Sequence, residues 1–204
     1  MDFFTTYLGI VITYVFISNL ILTQFLGLCP FIGVSKDLES AMGMGFAVTF
    51  VMTVASMVTW VLNHFLLSGL FLPFNLEFLQ TLTFILTIAS LVQLVEMVVQ
   101  KFSPALYRSL GIYLPLITTN CGVMGIALIN VKSGYGFMES FIAGFSAGLG
   151  FMLALILMSS IRVRLNTERV PKVFKGIPIA FISGGLMALA FMAFDKALLK
   201  NLLG

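Results

Sequence analysis

Charges divide this chain into long apolar runs. Residues 3–35 carry none, a run of 33, and residues 40–76 carry only His64, a run of 37. Residues 78–95, 109–131, 140–161 and 176–194 add uncharged runs of 18, 23, 22 and 19. About 20 apolar residues in a helix cross roughly 30 Å of hydrocarbon. The pattern therefore predicts an all-α integral membrane protein with six transmembrane helices, over about 3–28, 42–66, 78–99, 109–130, 138–161 and 176–194. An odd number of spans per half forces the halves into opposite orientations. The fold expected is a single transmembrane domain of two inverted three-helix repeats, about 1–101 and 102–204.

Composition strengthens this reading. Hydrophobic residues make up 60% and charged residues 9% of the 204, where soluble domains have about 45–50% and about 25%. That argues against a soluble enzyme, a nucleic-acid binder or a disordered chain. Met1-Asp2-Phe3 lacks the positive start of a secretory signal, so the first span is expected to be retained. Basic residues orient the spans. Lys36, Lys101, Arg108, Arg162, Arg164, Arg169, Lys172 and Lys175 fall on one side, and Lys132, Lys196 and Lys200 on the other. The eight-base side is expected inside, with both termini outside.

The first run is too long for one straight span. Within it lies Leu26-Gly27-Leu28-Cys29-Pro30-Phe31-Ile32-Gly33, where proline removes a helix hydrogen bond and two glycines weaken the same stretch. The fourth span holds a similar element, Thr118-Thr119-Asn120-Cys121-Gly122-Val123-Met124-Gly125. Both read Cys, then Pro or Gly, two apolar residues, then Gly. Helices 1 and 4 are thus expected to be interrupted, at matching places in the two halves, which points to a functional site near mid-membrane.

These breaks hold the only two cysteines of the chain. A helix restarting at Pro30 makes Cys29 its cap, with the N–H groups of Ile32 and Gly33 and the helix dipole facing the sulfur. Cys121 before Gly122 reads the same way. Such a setting favours thiolate, with a cation expected nearby. Two readings stay open here: ligand thiolates, or ordinary buried cysteines. Two cysteines build neither a disulfide framework nor a closed tetrahedral metal site. An iron–sulfur cluster takes four protein ligands, so a second chain would have to supply two.

Longer motifs bring in a resemblance. Gln24 to Ser35 (QFLGLCPFIGVS), Leu114 to Cys121 (LPLITTNC), Leu91 to Met97 (LVQLVEM), Ala105-Leu106-Tyr107 and Leu110-Gly111-Ile112 resemble the A subunit of the Rnf complex. The likeness covers essentially the whole chain. The superfamily includes the two small cysteine-bearing subunits of the sodium-translocating NADH:quinone oxidoreductase. There serine follows the first cysteine, where this chain has Pro30. The resemblance implies a six-helix inverted-repeat subunit in a bacterial or archaeal cell (inner) membrane. It implies pairing with the homologous E subunit of opposite topology, beside the B, C, D and G subunits. It further implies a [2Fe–2S] cluster shared between the pair, two cysteines from each, with Cys29 and Cys121 at ligand positions. The complex would couple electron flow between ferredoxin and NAD to Na⁺ or H⁺ transport.

Other polar residues are weighed against plain structural roles. Glu96, near the inner end of the third span, is a candidate for an ion pathway, because intramembrane carboxylates mark functional sites. It also suits a headgroup-facing or ion-paired role. Asn19, Thr23, Gln24, Thr118, Thr119 and Asn120 are expected to satisfy backbone groups freed at the breaks. The glycines of 43–45 and 144–150 are expected to be close-packing faces. His64 is not expected to bind metal. Phosphate-loop, Rossmann and flavin-attachment motifs do not stand out, so oxidation of NADH or ferredoxin is assigned to partner subunits. The rival readings are a cofactor-free secondary transporter, the equivalent subunit of the quinone oxidoreductase, and a structural helper subunit.

Overall fold

Hydrogen bonding in hydrocarbon favours helix, since no water is present to satisfy free backbone groups. A computed structural model follows that rule. It describes residues 2–67, 77–102, 116–117, 120–165, 171, 174 and 176–203, excluding the side chains of 2–4, 66–67, 77–80, 95–96, 98–100, 102 and 193–203. Among the described residues every regular element is helical. Helix α1 runs Asp2–Ile12 and continues as a π-helical turn, Thr13–Ile17. Helix α2 is short, Leu28–Val34. Helix α3 spans Leu38–Leu62 and also ends in a π-helical turn, Asn63–Leu67. Then come α4 (Glu77–Phe102), α5 (Cys121–Lys132), α6 (Phe137–Leu165) and α7 (Ile177–Leu203).

Among the described residues, two segments are each long and apolar enough to cross a membrane, Leu38–Phe65 and Phe137–Leu165, with mean hydropathy 1.9 and 2.2. They correspond to the second and fifth expected spans. The first expected span is not one helix: it stops at Ile17 and restarts at Leu28. Of the fourth, residues 109–115 lie outside the described residues. Its described part is helical at 116–117 and from Cys121 onward, with Asn120 extended between them.

The most extensive packing is between α3 and α6. Small residues make it possible. A methyl on Gly148 would lie 2.5 Å from the Thr49 backbone, and one on Gly144 would lie 2.5 Å from the Ser56 hydroxyl. Gly45 faces Met152 as closely. The close-packing faces expected of these glycines are thus present. Three threonine hydroxyls of α3 return to their own helix: Thr49, Thr53 and Thr59 donate to the carbonyls of Gly45, Thr49 and Ala55, each at 2.7 Å. Phe46, Phe50, Leu86 and Leu186 point outward, as an apolar solvent permits.

At one end of this layer the Trp60 indole N–H donates to the Tyr135 carbonyl at 3.0 Å, and its ring stacks on His64. Helix α6 starts after a turn at Gly134, whose φ is +64°. There the Glu139 carboxylate accepts from the Gly136 N–H at 2.9 Å, the reciprocal half of a capping box.

Candidate cysteine site at two helix breaks

The segment between α1 and α2 turns back on itself, and Asn19 organises it. Its side chain is fully buried. It donates to the Gly150 carbonyl of α6 at 2.8 Å and accepts from the Ile21 N–H at 3.1 Å. The Thr23 hydroxyl donates to the Asn19 carbonyl at 2.8 Å. Asn19 and Thr23 therefore do what was expected of them, satisfying backbone freed by the break. The chain then passes through two left-handed residues, Phe25 (φ +55°) and Gly27 (φ +88°), before α2 begins.

The helix restart differs from expectation in register. Gly27, not Cys29, precedes the first helical residue, so Cys29 is the second residue of α2 and Pro30 the third. Proline is accommodated there because the first N–H groups of a helix have no intrahelical partner. In the second half Asn120 is the cap. Its side-chain oxygen accepts from the Gly122 N–H at 2.9 Å, and Cys121 is the first helical residue. A short polar side chain at the cap outcompetes a thiol, which accepts hydrogen bonds weakly.

The two breaks meet. The Gly27 N–H donates to the Cys121 sulfur at 2.9 Å, across 94 residues of sequence. This donor to Cys121 comes from the opposite half of the chain. Gly27 is also the only residue type that fits: a methyl there would lie 2.6 Å from the Phe151 ring and 3.1 Å from the Asn120 side chain.

Both cysteines are free thiols exposed on the surface of this chain. Among the described residues, no three His, Cys, Asp or Glu side chains gather to bind a metal. Two exposed free thiols are donors of the kind that would hold iron, with further ligands from another chain.

A residue that sequence reasoning treated only as a topology signal joins the site from α6. The Arg162 guanidinium donates through one nitrogen to the Ile32 carbonyl at 2.7 Å and to the Ser35 hydroxyl at 2.9 Å. Three points of α6 thus hold the first break: Gly150 at Asn19, Phe151 at Gly27, and Arg162 at the end of α2. None of these pairings has a short-range signal, since each joins residues more than 120 apart in sequence.

A family model described as Rnf-Nqr subunit, membrane protein, matches residues 7–198. The chain belongs to the Rnf-Nqr family. Its relatives include the A subunit of the Na(+)-translocating ferredoxin:NAD(+) oxidoreductase complex of Acetobacterium woodii, 53% identical over 93% of this chain and 97% of the relative. The A subunit of the ion-translocating oxidoreductase complex of Serratia proteamaculans is 57% identical over 93% and 96%. The protein of the same description from Syntrophotalea carbinolica is 55% identical over 91% and 94%. The resemblance read from the motifs is therefore a family membership, and the chain is a membrane protein.

Other expected site residues are placed less fully. Glu96 lies in α4, with its side chain outside the described residues. Thr118, Thr119, Arg108, Arg169, Lys172 and Lys175 also lie outside them.

Proposed function

We propose that this Rnf-Nqr family member is the A subunit of an ion-translocating ferredoxin:NAD⁺ oxidoreductase, the role carried by the names of its relatives. Cys29 and Cys121 supply two thiolates to a [2Fe–2S] cluster. The homologous E subunit, of opposite topology, supplies the other two. The observation that carries this reading is the Gly27 N–H on the Cys121 sulfur, with both thiols exposed. It brings the two helix breaks together.

When bound, such a cluster takes up one electron and passes it on. The residues of this chain hold the two sulfurs, place a hydrogen-bond donor on one of them, and leave their outer sides to the partner. Support for the six-helix inverted repeat comes from the pairing of α3 with α6, the second span of each half. Glu96 is the carboxylate assigned to the ion path, and the B, C, D and G subunits hold the remaining redox steps.

Serine in place of either cysteine supplies a harder, poorer ligand for iron. Electron paramagnetic resonance and iron quantitation of the reduced complex test the reading. Cys29→Ser and Cys121→Ser are each expected to abolish or strongly alter the [2Fe–2S] signal and stop electron flow. A normal signal and full turnover in both variants would overturn the proposal and favour a cofactor-free transporter or a structural helper.

A further inference from the structure

Helix α2 has seven residues, too few to be stable by themselves. Its last carbonyls have no intrahelical donor, and they form the negative end of its dipole. Arg162 meets both needs. Its guanidinium binds the Ile32 carbonyl in the last turn of α2 and the hydroxyl of Ser35, the residue that ends the helix. Ser35 is fully buried, so this grip is not a loose surface contact. Ile32 lies three residues, one helical turn, beyond Cys29.

We propose that Arg162 is the positioning residue of the Cys29 half of the site. It clamps α2 from the end opposite Gly27. Residues 18–27 set where α2 starts, and Arg162 sets where it ends. With both ends held by α6, the sulfur of Cys29 keeps one location relative to that of Cys121. The positive charge also acts on the cluster: net charge around iron and sulfur tunes its reduction potential, and a nearby cation favours the reduced, more negative form.

The anchoring role stands on the hydrogen bonds alone; the effect on potential rests on the proposed function. Two measurements separate them. The first is hydrogen exchange of the 28–35 segment in the full-length protein, reconstituted in lipid without its partner. Arg162→Gln is expected to exchange roughly tenfold faster there, the ratio that follows from losing a charge-assisted hydrogen bond. Arg162→Lys, which keeps the charge but not the fork, is expected to recover part of the protection. Ser35→Ala, which leaves the Ile32 contact, is expected to give a smaller acceleration.

The second is a redox titration of the paramagnetic signal in the assembled complex. Arg162→Gln is expected to lower the midpoint potential at unchanged iron content, and Arg162→Lys to stay close to the wild type. If Arg162→Gln does not assemble, exchange in Arg162→Lys and Ser35→Ala decides, and wild-type protection in both would overturn the anchor. An unchanged potential in Arg162→Gln would overturn the electrostatic role. Absence of any Cys29-dependent signal in the wild-type complex would instead overturn the cluster reading, with exchange still deciding the anchor.

Discussion

Gly27 meets three demands that no other residue meets together. Its φ is +88°, its N–H reaches the Cys121 sulfur, and its missing side chain leaves room for the Phe151 ring. The left-handed conformation alone costs an L-residue about 1–2 kcal/mol. A methyl 2.6 Å from the ring adds a clash on top. Gly27→Ala is therefore expected to lower the thermal midpoint of the purified complex and weaken the signal that depends on Cys121. Adding Phe151→Leu should return part of the lost stability, because it removes the clash but not the backbone strain. Full stability and signal in Gly27→Ala alone would show that the break tolerates another conformation.

Between elements, the α3–α6 contact is set by backbone approach. The group nearest a methyl on Gly148 is the Thr49 Cα, which cannot rotate out of the way. Gly148→Ala must separate the helices, and overpacking of this kind costs about 1–3 kcal/mol. Gly9 in α1 supplies the contrast, since a methyl there meets nothing within 4 Å. Gly9→Ala is expected to be neutral or stabilising by up to about 1 kcal/mol, from helix propensity alone. Thermal unfolding of both variants in the same detergent checks the pair, and equal loss in the two would refute packing as the cause. The same layer explains why α6 can serve the site: a helix seated tightly on α3 is a rigid support for Asn19, Gly27 and α2.

For the whole molecule, orientation in the bilayer remains a consequence of charge. Eight bases fall on one side of the six expected spans and three on the other, and bases are retained inside. Reporter fusions after Gly204 and within residues 166–175 are expected to report outside and inside respectively. An inside carboxyl terminus would reverse the assignment. It would also move Arg162 and the end of α2 to the outer leaflet, leaving their mutual contact intact.

The run lengths, the scarcity of charge and the interrupted motifs around Cys29 and Cys121 sufficed to read a helical membrane protein with two broken helices. Those features depend on local chemistry: apolar length, proline, glycine, and the lack of water for backbone groups. The family was legible for a related reason, because its motifs are contiguous strings such as QFLGLCPFIGVS. The register of each restart was not legible. Whether Gly27 or Cys29 ends the coil depends on Phe151 and on the Cys121 sulfur, both more than 90 residues away. Arg162 shows the same divide. Along the chain it is one base among several near a span end, and only the packing of α6 against the first break makes it the cap of α2. Contacts between distant segments are decided by which surfaces fit together once the helices exist. Tertiary structure alone therefore brought two separate cysteine motifs together.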